Sequence, residues 1–275
     1  MKIKILSFFI FLATIILITA PLLMLSSAAS TGSFSASVSL SNSAPTIEAV
    51  YNGSGSPAEG TTATINLLFN ATDLNGVADI NVSSAFMNIT RSGETARSST
   101  SCTSAANLSN TETINCTITI YWYDGAGTWN ICAYVRDNSN AAVSNCTAAN
   151  FTMGTTDSIT LLNASIAFSG TANQTGVGPQ HIIVNNTGNV NYTSMGVNAT
   201  YLANVSYTIG VGNFSVNVSN SVNGQALTEN SFLSVTSSNL TKGPASQRDL
   251  YFGLNIPNVP ALNYNSNRNW VIDPS

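Results

Sequence analysis

Residues 127–137 read Gly-Thr-Trp-Asn-Ile-Cys-Ala-Tyr-Val-Arg-Asp, and this stretch indicates the fold class most clearly. Every second side chain from Trp129 to Val135 is apolar, and the alternate positions from 130 to 136 hold Asn, Cys, Tyr and Arg. A period of two is typical of a strand that lies with one face on a core. The same alternation predicts strands over 162–168, 198–209 and 213–219.

Beyond the N-terminal segment, apolar residues do not recur at helical spacing in any window of the chain. Many short strands separated by Gly, Asn and Asp turns predict an all-β protein built from antiparallel sandwiches. A Gly-Thr-Thr-Asp stretch near Met153–Ser158 suggests a boundary, and all four cysteines precede it. We therefore expect two tandem β-sandwiches, over 45–153 and 157–275, the first of them immunoglobulin-like.

The N-terminus has the features of a hydrophobic signal or anchor helix. Lys2 and Lys4 precede an apolar stretch from Ile5 to Leu25, and small residues follow it. This order is typical of a signal peptide, although its apolar stretch is also long enough to anchor the chain in a membrane. We predict a signal peptide or membrane anchor over 1–29 and a Ser/Ala-rich spacer over 30–44. Only this segment could hold the chain to a membrane.

The composition narrows the range of functions. Charged residues make up 7% of the chain, against roughly 25% in ordinary soluble domains. Neutral polar residues take their place, with 35 Asn, 37 Ser and 31 Thr. The eight lysines and arginines are scattered, whereas binding to phosphates requires them in clusters. We therefore expect no nucleic-acid partner.

An even cysteine count in a secreted chain predicts disulfides. Cys132 and Cys146 are symmetric about the turn Asp-Asn-Ser-Asn at 137–140, and Cys102 and Cys116 are symmetric about 109. Two hairpins with these centres would place each pair face to face. We predict the disulfides Cys102–Cys116 and Cys132–Cys146.

Acceptor sites for N-glycosylation, Asn-x-Ser/Thr, are about twice as frequent as chance would give. A surface rich in Asn, Ser and Thr also contains such sites by composition alone, without carrying sugar. The position of each site on the fold therefore matters. Several fall on predicted polar strand faces, where a sugar could attach without disturbing a core. The acceptors are Asn52, Asn70, Asn81, Asn88, Asn107, Asn115, Asn145, Asn150, Asn163, Asn173, Asn185, Asn191, Asn198, Asn204, Asn213, Asn217 and Asn239.

Oxygen-bearing side chains gather in three loops of the first predicted sandwich. Loops at one end of a sandwich can together hold Ca²⁺, which prefers oxygen ligands. Asp and Asn are also ordinary turn residues, so the two interpretations compete. The residues are Asp73, Asn75 and Asp79 in one loop, Asp124 in a second, and Asp137, Asn138 and Asn140 in a third. The sequence requires no cofactor, and calcium is the ion that these loops would hold, with Asp73, Asp79 and Asp137 as its candidate ligands.

Two stretches resemble known surface proteins. The run from Asp124 to Asp137, with its Asp-Gly turn before an aromatic residue, looks like the penultimate strand of immunoglobulin-like domains in microbial surface proteins. In the second half, 166–170, 184–189 and 254–257, with Tyr264 and Trp270, are similar to the second sandwich of archaeal envelope proteins. Asn263 stands where those proteins have Gly. The resemblance implies an archaeal-type cell-surface role.

These observations predict a non-enzymatic, extracellular structural or adhesive envelope protein, such as a surface-layer accessory or a filament subunit. Its partners would be other envelope proteins or copies of itself, together with its N-glycans. In a filament, Phe34, Ala36, Val38 and Leu40 of the spacer could pair with a neighbour's open sheet edge.

Two other functions remain open at this point. The first alternative is a carbohydrate-binding module, with Tyr121, Tyr123 and Tyr134 as candidate stacking residues. A secreted hydrolase comes third. His181 is the only histidine, and we interpret it as a structural or surface residue because few charged partners exist for a catalytic triad.

Overall fold

The structure is a computed structural model that describes residues 33–266 and 268–275. The predicted N-terminal helix over 1–29 lies outside the described residues. Backbone contacts divide the chain into Met1–Ser41 and Asn42–Ser275. Residues 33–45 form no strand, and the first strand begins at Thr46. Within the described ranges, no helix has the length and apolar character needed to span a membrane.

The first half of the larger unit contains nine described strands. They are β1 (Thr46–Val50), β2 (Gly53–Gly55), β3 (Thr62–Thr72), β4 (Ile80–Thr90), β5 (Arg97–Leu108), β6 (Thr111–Tyr121), β7 (Gly127–Asp137), β8 (Ala142–Asn145) and β9 (Asn150–Met153). A short 3₁₀ turn, Val77–Asp79, precedes β4.

These strands form one continuous sheet in the order β1-β3-β6-β5-β4-β7-β9-β2, with β8 paired to β7. The start of β5 pairs with β4, where Ser98 lies opposite Asn88, and the rest of β5 pairs with β6. The sheet therefore continues through β5 from one layer of a sandwich to the other. The buried faces of both layers enclose a single core that includes Phe69, Trp129 and Phe151.

Strict alternation explains why β6 and β7 lie at the centre of the sandwich. Along β6 every second residue from Glu112 to Ile120 is buried, and along β7 the same holds from Trp129 to Asp137. A strand with this pattern gains most by lying between neighbours over a core. The predicted strand over 129–136 is confirmed.

The second half contains eleven described strands. They are β10 (Ile159–Leu161), β11 (Val177–Asn186), β12 (Met195–Asn198), β13 (Leu202–Ala203), β14 (Thr208–Ile209), β15 (Phe214–Asn217), β16 (Gln225–Ala226), β17 (Leu233–Val235), β18 (Gln247–Leu254), β19 (Asn265–Ser266) and β20 (Val271–Pro274).

Their sheets are β10-β11-β18-β15-β16, β17-β12-β20 and β14-β13-β19. They enclose a second hydrophobic core in which Phe214, Phe252 and Leu250 are fully buried. The predicted all-β class is therefore confirmed, and the predicted strand at 213–219 is present as Phe214–Asn217.

Two predicted strands of this half are wrong. At 162–168 the ladder ends after Leu161, because the Asn163 side chain bonds the edge of β11 itself. Asn163 Oδ1 accepts from the Ile183 amide at 2.6 Å, and its Nδ2 donates to the His181 carbonyl at 2.6 Å. Ile166 and Phe168 still pack on the core, without strand pairing.

The predicted long strand over 198–209 is interrupted by a tight turn. Asn204 Oδ1 accepts from the Ser206 amide at 3.0 Å, and the Asn204 amide bonds the Tyr207 carbonyl at 2.9 Å. Val205 at the tip is fully exposed. The chain thus folds into the short hairpin β13–β14 in place of one extended strand, because the asparagine side chain satisfies the turn amide.

Residues 154–158 form no strand and connect the two cores. The Tyr192 hydroxyl donates to Asp157 at 2.6 Å, and burial followed by this hydrogen bond raises the pKa of Tyr192 well above its usual value. Gly188 lies so close to the Thr156 carbonyl that a β carbon would collide with it. On the other side, Lys242 Nζ reaches Glu94 at 2.7 Å. The first two contacts hold the connection on the second sandwich, and the Lys242–Glu94 ion pair joins the two sandwiches.

Candidate metal centre

Three carboxylates converge at one end of the first sandwich. Asp73 follows the last residue of β3, Asp79 ends the 3₁₀ turn before β4, and Asp137 is the last residue of β7. Strand β7 pairs with β4 so that Asp137 lies opposite Ile80, next to Asp79. One ligand oxygen of each carboxylate lies within 4.8 Å of the other two. We call this group the acidic cluster.

Local hydrogen bonds explain how the 73–79 loop turns. Asp73 Oδ1 accepts from the Asn75 amide at 2.8 Å, and the Gly76 amide donates to the Asp73 carbonyl at 3.1 Å. Gly76 has φ 108°, a value that glycine adopts without strain. The Asp79 amide then donates to the Gly76 carbonyl. The loop therefore brings its second carboxylate back toward the first.

The Asp137 carboxylate is held from two sides. Its Oδ1 accepts from the Ala141 amide at 2.7 Å, and its Oδ2 accepts from Asn42 Nδ2 at 2.7 Å. The neighbouring Asn138 joins the loops, since its amide donates to the Asp79 carbonyl at 2.8 Å. Its Nδ2 also donates to the Ala78 carbonyl at 2.9 Å. Both loops are thus fixed relative to one another.

The cluster lacks a compensating charge on the described residues. Asp73 and Asp137 are both 0% exposed. The ion pairs of the described chain involve Glu94 and Asp124, and none reaches these three carboxylates. Asp73 Oδ2 is buried without a hydrogen-bond partner among the described residues. Buried charges in proteins are normally paired or coordinate a metal.

A fourth buried acid lies at the same end of the sandwich. Glu112 is 3% exposed, and its Oε1 has no partner in the part of the chain that the structure describes. It stands two residues after Asn110, whose carbonyl accepts from the Asp73 amide at 2.9 Å. Glu112 is not among the predicted ligands, although an acid in the register of the core residues Ile114 and Cys116 is a signal visible in the sequence.

The structure separates Asp124 from the cluster, which corrects one part of the three-loop hypothesis. Asp124 lies before β7 and Asp137 ends it, so the length of that strand stands between them. Asp124 instead bonds Arg97, with Nε 3.0 Å from each carboxylate oxygen. Of the amide residues, Asn75 accepts from the Ser43 amide at 2.7 Å. Asn140 adopts positive φ in the 137–141 turn.

Both disulfides join the cysteines that the hairpin argument pairs, Cys102–Cys116 and Cys132–Cys146. Cys102 lies directly opposite Cys116 in the β5–β6 ladder, and Cys116 is buried in the core. The β7–β8 hairpin pairs Arg136 with Ala142, which places its centre at 139 as predicted. Cys146 is exposed, so this second disulfide lies on the outer face.

None of the 17 sequon asparagines is buried. Asn163 lies in a loop and not on a strand face, as noted above. The exposed ones are Asn52, Asn107, Asn150, Asn173, Asn191 and Asn239. The partly buried ones are Asn70, Asn81, Asn88, Asn115, Asn145, Asn163, Asn185, Asn198, Asn204, Asn213 and Asn217.

The aromatic candidates for sugar binding are already engaged with protein groups. Tyr121 and Tyr123 stack at 5.3 Å, and the Arg97 guanidinium lies 4.4 Å from the Tyr121 ring. Tyr134 contacts Arg136. His181 is exposed on β11, and its ring lies 5.5 Å from that of Tyr251.

The second sandwich contains a cleft of about 490 Å³ whose lining mixes aromatic and polar side chains. Its wall includes Phe168, Phe214 and Trp270, and its rim includes the amides Asn265 and Asn269. Trp270 meets Phe214 edge to face at 5.0 Å, and its Nε1 donates to the Thr200 carbonyl at 2.8 Å. Sequence alternation alone did not indicate this cleft.

Comparison with known proteins yields no family assignment. No protein-family model matches the chain, and no curated protein matches it. Among solved structures it is similar to the secreted serine protease VesC from Vibrio cholerae, with 10% identity and a TM-score of 0.20. The match covers 81% of this chain and 49% of that one, so this chain spans about half the length of that protein. A TM-score this low carries no argument about function.

Proposed function

We propose that this protein is an extracellular, non-enzymatic component of a cell envelope, with a structural or adhesive role and an N-glycosylated surface. The observation that carries the proposal is that none of the 17 sequon asparagines is buried, and six of them are exposed. Two disulfides add support, since such bonds persist in oxidising compartments. Sugars on these faces would supply the solvation that the 7% charged residues do not.

The asparagine side chains differ in how free they are to carry a sugar, which makes the glycosylation testable site by site. Both amide hydrogens of Asn217 are used, because its Nδ2 donates to the Ser221 and Asn223 carbonyls at 3.1 and 2.7 Å. Asn239 is exposed. Among the described residues nothing accepts a hydrogen bond from its Nδ2.

Glycopeptide mass spectrometry of the protein from its own cells tests this surface. We expect sugar at Asn239 and at most of the other exposed acceptors, and none at Asn217, where the glycosidic bond would displace one hydrogen bond. Protease treatment of intact cells should release fragments of the two sandwiches. Unmodified peptides at every acceptor, or fragments released only after lysis, would refute the proposal.

The spacer supports a role in assembly. Phe34, Val38 and Leu40 are 91%, 84% and 84% exposed, and in an extended chain they share one face. Exposed apolar rows of this kind are typical of contact surfaces. As part of the proposed structural role, the spacer pairs as an added strand with an open sheet edge of a second copy.

Deleting Ser33–Ser41 from the full chain tests assembly. We expect the variant to keep its folded sandwiches by circular dichroism but to lose filaments or higher oligomers in electron micrographs. A matched control replaces Ser35, Ser37 and Ser39 by Ala, which changes the opposite face and leaves the apolar row intact. Unaltered assemblies of the deletion variant would contradict the role of the spacer.

The cleft of the second sandwich favours carbohydrate binding as a second candidate function. Aromatic walls with amides at the rim are the groups that pack on sugar rings and bond their hydroxyls. A glycan array of the native protein tests it, and Asn269→Ala should weaken any binding while Asn66→Ala, on the first sandwich, should not. An array without a hit rejects this candidate and leaves the envelope role unaffected.

A further inference from the structure

We propose that the acidic cluster of Asp73, Asp79 and Asp137 binds one Ca²⁺ ion, which fixes the end of the first sandwich where the chain enters it. This inference goes beyond the proposed envelope role and does not depend on it. It follows from the charge, the geometry and the ligand chemistry of the described residues.

Asp73 is the carboxylate of the cluster that most needs a partner. Its Oδ2 is buried and without a partner among the described residues, while two further carboxylates lie within 4.8 Å. Leaving such an oxygen unpaired costs free energy, and the two neighbouring negative charges add repulsion. Asp137 is also buried, so solvent does not screen the repulsion. A bound cation supplies the missing partner and removes the repulsion.

The spacing of the oxygens suits one ion. Ca²⁺ binds oxygen at about 2.3–2.6 Å, so two oxygens on the same ion lie at most about 4.6–5.2 Å apart. The three carboxylates of the cluster fall within this limit, with all separations at or below 4.8 Å. One ion placed between the three carboxylates is therefore within reach of an oxygen of each after at most small side-chain movements.

The ligand set favours calcium over other metals. Every candidate ligand is an oxygen, which excludes the soft sites that zinc prefers. The four cysteines are all in disulfides, and His181 belongs to the second sandwich. Mg²⁺ retains several waters and needs near-octahedral geometry. With two of its three carboxylates fully buried, one in a loop and one at the end of a strand, the cluster suits the more tolerant Ca²⁺.

The acidic cluster is linked to residues 42–45, which lead into the first strand of the first sandwich. Asn42 donates to Asp137 Oδ2 at 2.7 Å, and the Ser43 amide donates to Asn75 Oδ1 at 2.7 Å. Pro45, just beyond, is buried. An ion that holds both loops therefore also holds residues 42–45 against the sandwich. We expect calcium to order this entry segment as well as to stabilise the fold.

The first experiment uses the full chain stripped with EGTA. Isothermal titration with CaCl₂ should show one saturable site, and MgCl₂ should bind at least tenfold more weakly. In differential scanning calorimetry, calcium at about 100 times its dissociation constant should raise the melting temperature by roughly 5–10 °C. An absence of saturable binding up to 10 mM CaCl₂, with an unchanged melting temperature, overturns the proposal.

Variants separate metal binding from a purely structural role. Asp73→Asn keeps an Oδ1 to accept from the Asn75 amide, and Asp79→Asn changes a half-buried side chain outside the hydrogen-bond network of the described residues. In EGTA both should melt no lower than the native protein, because each removes a repelling charge. In CaCl₂ both should lose most of the rise and bind at least tenfold more weakly.

Glu48→Gln is the matched control, since it removes an exposed carboxylate from β1 of the same sandwich. It should keep the full response to calcium. If Asp73→Asn and Asp79→Asn respond like Glu48→Gln, the ion binds elsewhere and the proposal is wrong. If they are destabilised equally in EGTA and in CaCl₂, the carboxylates are structural only, and the proposal is also wrong.

Discussion

Asp124 is the most sharply constrained charge in the first sandwich. It is 1% exposed, and Nε of the Arg97 side chain donates to both of its carboxylate oxygens. Asp124 Oδ2 also accepts from the Tyr121 amide at 2.8 Å, which closes the turn before β7. Burial lowers the pKa of Arg97, but the hydrogen bond and the charge of Asp124 outweigh it and raise that pKa above its usual value.

Arg97→Met should therefore be strongly destabilising. It leaves the Asp124 carboxylate buried with only a backbone amide as partner. Unit charges 4 Å apart attract by about 4 kcal/mol at an effective dielectric constant of 20, and breaking a buried pair costs about 3–5 kcal/mol. The double variant Arg97→Met/Asp124→Asn removes both charges and keeps an acceptor for the Tyr121 amide. Its cost should be only about 1–2 kcal/mol.

Urea denaturation followed by tryptophan fluorescence measures both values. Trp129 reports on this region, because it is fully buried and its Nε1 donates to the Gly125 carbonyl at 2.9 Å, next to Asp124. Raising the salt concentration to 0.5 M should change the difference in unfolding free energy between the single and double variants little, since the Arg97–Asp124 pair is shielded from solvent. A cost below about 1 kcal/mol for Arg97→Met, or additive single-variant effects, would refute the reasoning.

Three further predictions test other parts of the fold. Replacing Cys102 and Cys116 by Ala should cost about 3 kcal/mol in urea denaturation, because their disulfide closes a 14-residue separation. Gly188→Ala should cost about 1–3 kcal/mol, because its β carbon would meet backbone of the inter-sandwich connection. Gly212→Ala has open space and should change stability little; equal effects would contradict this. Above pH 10.0 the unfolded chain releases the Tyr192 proton while the folded chain keeps it, so stability should fall. Tyr192→Phe should flatten that decline in thermal melts, and an unchanged alkaline profile would count against the argument.

Local patterns were sufficient for strand β7 of the first sandwich. The alternation over 129–135 predicts β7 because each residue on its inner face gains from burial independently of distant sequence. The same counting placed Cys132 opposite Cys146 across a turn at 139. In the second half the alternation failed at 162–168 and 198–209, because asparagine side chains there take the hydrogen bonds that a ladder needs.

The members of the acidic cluster were predictable only in part. Asp73 and Asp79 share a loop, so the chain itself keeps them close, and Asp137 joins them because β7 pairs with β4. Asp124 matched the same sequence pattern, yet it lies at the other end of β7 and pairs with Arg97. Asn42 gave no sequence signal, since its role depends on how the entry segment lies against Asp137.

The sequence by itself determined the all-β class, the pairing of the cysteines and the polar character of the outer faces. These properties depend on side-chain period, hairpin symmetry and composition, all of which are local. Only the tertiary structure decided which of the acids meet, that Asp73 Oδ2 is buried without a partner among the described residues, and that an aromatic cleft opens in the second sandwich. Those properties depend on which strands become neighbours and how deeply each group is buried, and that is set by the packing of the whole core.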